Sequence, residues 1–207
     1  MNHHNIGIAQ NLSQQAATIN RTLLALLQAG GLILYARHAE ANVGEDQPFL
    51  NFHNCLSQRN LSEVGRSQAV TYGEVLSRLR IPVMYPVLAS PFCRTRETAA
   101  LAFGVDYVHI DPFLVELYKL SVNMSAEKQE RILNDLQSDL EILPPPGYNK
   151  VIIAHSLPRG VGFGQIPDMG TVVVKPRGQG NGYEVVTQVS LAEMTSLLEL
   201  MPGTSQF

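Results

Sequence analysis

Short apolar runs recur along this chain, each separated from the next by a stretch with helical periodicity. Leu32-Ile33-Leu34-Tyr35, Val83 to Ala89, Tyr107 to Ile110 and Val151-Ile152-Ile153-Ala154 are such runs. A strand that is apolar on both faces has to be covered on both, which is the condition of a parallel sheet between two helical layers. The intervening stretches supply those layers. Ser13 to Ala29 carries Ala16, Ile19, Leu23, Leu26 and Leu27 at helical spacing and stops at Gly30-Gly31. Ser62 caps a helix running through Arg80, with Val64, Ala69, Tyr72, Val75 and Leu79 as its apolar stripe. Pro91 opens a helix to Phe103, and Ala126 to Leu143 gives another before Pro144-Pro145-Pro146-Gly147 breaks it. The tail adds strands over Thr171 to Val174 and Tyr183 to Val189 and a last helix from Ala192. The pattern predicts a three-layer α/β/α sandwich around a mainly parallel sheet, a single domain over residues 1–207 with an N-terminal helix at 13–29.

Charge and cysteine usage narrow the partners. Fifteen Lys and Arg against 18 Asp and Glu leave a formal net charge of -3, with no basic stripe, so nucleic acid is not expected as a partner. The longest apolar run, Leu23 to Tyr35, is broken by Gln28 and the glycine pair, far short of the roughly 20 residues of a membrane span. Met1 to Gln15 is polar and lacks the pattern of a secretory signal, so residence in the cytoplasm is expected. On that basis Cys55 and Cys93 are read as reduced thiols, with a disulfide as the alternative. No histidine pair has zinc spacing, and neither a metal nor a cofactor is expected. Nothing in the sequence speaks to oligomeric state.

Open α/β sheets place ligands beyond the carboxyl ends of their strands. Three such ends carry chemically active residues: Arg37-His38 after the first strand, Ser90 with Arg94 after the second, and His155-Ser156 after Ala154. If the strands are neighbours, two imidazoles and two guanidiniums converge. Guanidinium forks match phosphate oxygens, and a neutral imidazole can attack phosphorus.

These residues resemble the histidine phosphatase superfamily, also called phosphoglycerate mutase-like. Arg37-His38-Ala39 is similar to its Arg-His-Gly signature, with Glu40 where a Glu commonly follows. Asn60-Leu61-Ser62 with Gly65, Gln68 and Ala69 resembles the helix start that follows, and Ser90 to Ala99 resembles the segment of the second arginine, here Arg94. His155 matches the second histidine, and Leu114 with Glu116 resembles the segment that supplies a proton donor. Two positions depart from the pattern: Ala39 replaces glycine, and Ser156 follows His155. The resemblance implies a metal-independent phosphatase acting on a small-molecule or protein phosphate monoester. His38 is then the nucleophile, Glu116 the acid with Glu40 its competitor, and Arg37, Arg94 and His155 hold the phosphate. Arg59 and Arg96 are given a solvated or structural role. The loop from Ala39 to Asn60 and the stretch from Leu117 to Ser125 are expected to line the outer pocket. A phosphomutase of the same fold, or a module that binds a phosphorylated ligand without turnover, is the alternative. There is no Walker loop, and no arginine stands at the sixth position after either cysteine, so two other phosphoryl-transfer designs drop out.

Overall fold

The computed structural model describes residues 3–120 and 124–202. One six-stranded sheet forms from β1 (Ile33–Arg37), β2 (Val87–Ala89), β3 (Val108–Ile110), β4 (Lys150–Ala154), β5 (Thr171–Pro176) and β6 (Tyr183–Val189). Its order is β3-β2-β4-β1-β5-β6. The first four strands run parallel, while β5 pairs antiparallel with β1, and β6 with β5. Around it lie α1 (His3–Ala29), α2 (Glu63–Arg78), α3 (Cys93–Phe103), α4 (Leu114–Lys119), α5 (Ala126–Leu140) and α6 (Leu191–Ser196).

Successive strand residues point to opposite faces, and this divides the core in two. Leu34, Ala36, Val151, Ile153 and Val173 face the layer that includes Leu27 of α1, Tyr72 and Leu76 of α2, and Met194 of α6. Ile33, Tyr35, Ile152, Ala154 and Val172 face the other layer, with Leu114 and Leu117 of α4 and Ile132, Leu136 and Leu140 of α5. This is the α/β/α sandwich that the run-and-helix pattern predicts.

Ser62 does cap α2, its hydroxyl accepting from the Gly65 N–H at 3.0 Å. Gly65 is needed for another reason: a Cβ there would run into the Glu40 carbonyl, so the helix packs directly on the backbone that follows β1. Some expectations shift. α1 begins ten residues earlier than the predicted helix at 13. The predicted strand from Val83 shrinks to an isolated bridge, Val83 with Asn149, and the three residues of β2. Pro86, which has no N–H to give a ladder, lies between them. The six-residue α4 falls in a stretch that the sequence left unassigned. The predicted pocket stretch from Leu117 to Ser125 is only partly visible, because residues 121–123 lie outside the described residues.

One expectation is corrected. Cys55 and Cys93 are not free thiols but form a disulfide with a Cα–Cα distance of 5.7 Å. The loop after β1 folds back on itself through a bridge between Ala41 and Leu61. A one-turn 3-10 helix, Cys55–Ser57, capped by Asn54, then sets Cys55 against the first residue of α3. Tertiary folding creates that contact, and a separation of 38 residues gives no hint of it.

Candidate active site

The carboxyl ends of β1, β2 and β4 are adjacent, and the three expected clusters meet there. His38, Arg94 and His155 are 5%, 2% and 3% exposed, so all three are withdrawn from bulk water. The His38 and His155 rings stand edge to face with centroids 5.6 Å apart.

Hydrogen bonding fixes the tautomer of His38. Its Nδ1 lies 2.7 Å from the Ala39 carbonyl, which can only accept, so Nδ1 carries the proton. Nε2 therefore keeps its lone pair, and it accepts from Arg94 Nε at 3.2 Å. Burial, reinforced by the charge of Arg94, pulls the His38 pKa down to about 3, so the ring is neutral at physiological pH. His155 is driven well below its ordinary value, first by burial and then by its neighbours His38, Arg94 and Arg37. Its Nε2 shares a 2.9 Å hydrogen bond with the Ser90 hydroxyl.

The segment from Ser90 to Ala99 is built around two hydroxyls. Thr95 donates to the Ser90 carbonyl, and Thr98 donates to the Arg94 carbonyl while accepting the Ala39 N–H. Thr98 thus ties the helix of Arg94 to the residue after His38. One N–H of the α3 N-terminus is already taken: the Cys93 N–H goes to Gln58 Oε1 at 2.9 Å. Arg94 lies over the rings of Phe92 and Tyr118, at 4.4 and 5.5 Å from their centroids. Phe92 and Tyr118 also contact the His155 ring.

Arg37 sits at the rim rather than on the floor. Its Nη1 donates to the Ile166 carbonyl and its Nη2 pairs with Asp168 at 3.1 Å. Glu116 is placed differently again: it accepts from Lys119 Nζ at 2.6 Å, and its side chain is 33% exposed. Tyr118 of the same helix contacts the His155 ring, and two residues along a helix turn about 200°, so Glu116 and Tyr118 leave α4 on different sides. Glu40 accepts from the Ser62 hydroxyl at 2.6 Å.

Three residues enter that the sequence placed only within stretches expected to line the outer pocket, with no role of their own at the site. Asp46 receives Arg94 Nη1 at 2.9 Å and Nη2 at 3.1 Å. It also takes the Arg59 N–H at 2.8 Å and the Tyr118 hydroxyl at 2.9 Å. Burial alone would raise this carboxyl, but the hydrogen bonds from Arg94 and Arg59 outweigh it and hold it below the usual range. Arg59, read from sequence as structural, is close enough for its charge to act on both His38 and Arg37. Asp46 and Arg59 lie in a loop without periodicity, and Tyr118 on a helix too short to show any. Arg59 directly precedes the Asn60-Leu61-Ser62 run that the family resemblance singles out, but is not part of it.

A cavity of about 460 Å³ opens beside Asp46, walled by Leu50, Phe52, Val115, Tyr118 and Lys119. A larger one of about 650 Å³ lies along α3 by the disulfide, lined by Arg66, Arg96, Val105 and Ile110, and neither histidine borders it. Among the described residues, no three His, Cys, Asp or Glu side chains gather as a metal site, and no helix is long and apolar enough to cross a membrane.

Solved structures share this fold at low identity. A phosphoserine phosphatase from Entamoeba histolytica in complex with 3-phosphoglyceric acid aligns with a TM-score of 0.50 at 16% identity, covering 79% of this chain and 98% of its own. A mycobacterial hydrolase gives 0.50 at 16% over 76% and 97%. The protein histidine phosphatase SixA complexed with tungstate gives 0.49 at 15% over 79% and 99%. Among curated proteins none matches the chain. The family model described as histidine phosphatase superfamily (branch 1) matches residues 33–142, more than half of the sequence and the stretch that carries Arg37, His38 and Arg94. With that match and this fold, the chain belongs to the histidine phosphatase superfamily.

Proposed function

We propose that the protein is a phosphatase that hydrolyses a phosphate monoester through a phosphohistidine on His38. The observation that carries this reading is the unprotonated Nε2 of a buried, neutral His38, aimed at a guanidinium. The Nε2 lone pair attacks phosphorus in line, the bond to the ester oxygen breaks, and that oxygen takes a proton as it leaves. Arg94, Arg37 and His155 hold the equatorial oxygens; His155 must bring a proton for this, and the arriving dianion supplies the reason to bind one. Water then attacks phosphorus, the P–N bond breaks, and the water proton passes to the base that earlier served as acid. Glu116 in that role has to leave Lys119 and turn inward when substrate binds. The cavity beside Asp46 gives the leaving alcohol a place against Phe52 and Tyr118.

A phosphomutase shares these residues but must retain its phosphorylated intermediate while the product reorients, and between Glu116 and His155 the chain is largely taken up by the rest of α4, α5 and β4, which leaves little for a closing lid. The disulfide bears on compartment: such bonds persist in oxidising surroundings, which counts against the cytoplasmic residence expected from the sequence. The test is phosphate release from a panel of monoesters, combined with rapid quenching to trap acid-labile phosphate on the protein. Binding of these esters with no turnover and no label would leave the binding module as the better reading.

A further inference from the structure

The loop between β1 and α2 carries a carboxylate that hydrolysis, as written above, does not use. Asp46 has a side chain only 5% exposed, and its two oxygens are bonded to Nη1 and Nη2 of Arg94. A pair of anionic oxygens on a guanidinium end is what a phosphate would also offer the same arginine. The carboxylate is not there by chance of a loose loop. Gln47, next in sequence, donates its N–H to the Ser57 carbonyl at 3.0 Å, and Ser57 ends the short 3-10 turn that begins at Cys55. Cys55 is bonded to Cys93, which immediately precedes Arg94. The contacts therefore close into a ring, from Arg94 through Asp46, the 3-10 turn and the disulfide back to Arg94. Gln58 adds a second tie by accepting the Cys93 N–H.

We propose that Asp46 is a resident anion that competes with substrate phosphate for Arg94, and that the Cys55–Cys93 disulfide sets how strongly it competes. This rests on the reading of Arg94 as a phosphate ligand. A tethered competitor acts at an effective concentration fixed by its tether, so the bridge keeps Asp46 at its post. A dithiol reductant opens the bridge: the two sulfurs take up two electrons and two protons, and the dithiol becomes its own disulfide. The loop then loses its covalent anchor, the effective concentration of the carboxylate falls, and phosphate binds more tightly. The site is thus more closed to phosphate when oxidised than when reduced.

The experiment is calorimetric titration with inorganic phosphate, which reads binding without turnover, on oxidised and reduced protein. Asp46→Asn keeps the shape and removes the charge; Asp46→Ser serves as a second variant, with folding of each checked by circular dichroism. Removing a charged competitor should tighten phosphate binding about tenfold or more. Reduction, or the paired Cys55→Ser and Cys93→Ser substitutions, should tighten the wild type by a smaller factor and leave Asp46→Asn unchanged. Phosphate binding no tighter in either Asp46 variant overturns the proposal, as does an equal effect of reduction with and without the carboxylate. If Arg94→Ala binds phosphate as well as the wild type, the phosphate-ligand reading itself falls, which separates that failure from failure of the competition.

Discussion

Arg94 Nε donates to His38 Nε2 across 3.2 Å, and the nitrogen that accepts is the one that would attack phosphorus. On the proposed mechanism the guanidinium would hold the nucleophile aimed and deprotonated until phosphate takes its place. Two buried groups of one charge type do not crowd each other here, because burial has already removed the imidazole's proton.

The first prediction follows from that neutrality. With its pKa near 3, His38 needs to lose no proton above about pH 4, so formation of the phosphoenzyme should show no acid limb near 6.5 that belongs to this ring. Rapid-quench labelling from pH 5 to 8 measures it. His38→Ala should abolish label and turnover together, and a variant that still labels would place the nucleophile elsewhere.

The fold and the site were unequally legible. Strand ends such as Ala36-Arg37-His38 and Ala154-His155 stand out because a polar residue directly after a buried apolar run has few ordinary explanations. Ser62 was readable for a local reason, as a cap, whereas Gly65 stood only in the family resemblance and its reason, no room for a Cβ against the Glu40 carbonyl, came with the structure. Asp46 was not, since its meaning comes entirely from a loop folding onto Arg94, and the disulfide was hidden by the same folding. For Glu116 the family resemblance marks a segment, but the turn of α4 and the Lys119 partner, which decide where the carboxylate rests, are not legible in the sequence.

Acid should unfold the protein early. An unfolded histidine binds a proton near pH 6.5, whereas His38 resists protonation down to about 3 and His155 is also well depressed, so below 6.5 the unfolded state holds more protons. Stability is therefore full above 6.5 and declines as pH falls from there toward the folded values, by at most about 1.4 kcal/mol per pH unit for each ring. Asp46, depressed in the folded state, adds a further loss as pH drops through its unfolded value near 3.9. Urea denaturation between pH 7.5 and 4.5 tests the slope, and His38→Gln should flatten it.

Breaking the disulfide should cost stability as well as free the loop. Closing a loop of 38 residues stabilises by about 4 kcal/mol on the chain-entropy estimate. Non-reduced peptide mapping should recover Cys55 linked to Cys93, and reduction should lower the unfolding midpoint. Free thiols in protein prepared without reductant would contradict the corrected pairing.

The final prediction concerns the proton that the leaving oxygen needs. The carboxylates to compare are Glu116, paired with Lys119, Glu40, which accepts from the Ser62 hydroxyl, and Asp46 on Arg94. An acid matters most for a strongly basic leaving group, because an alkoxide does not depart unprotonated whereas a nitrophenolate does. If Glu116 turns inward with substrate, Glu116→Gln should slow phosphorylation of His38 by alkyl phosphates by ~100-fold or more and by nitrophenyl phosphate far less. The comparison has to follow the phosphorylation step in a burst or quench experiment, since the same carboxylate later activates water and would slow both esters there. Lys119→Met provides the control: it frees Glu116 from its present partner and should not harm the step if turning inward is part of the cycle. Equal slowing of both esters, or none, removes Glu116 from the role. The same two-ester comparison on Glu40→Gln and Asp46→Asn then shows which carboxylate takes it, and a leaving-group effect confined to Asp46→Asn would mean that the carboxylate on Arg94 donates the proton itself.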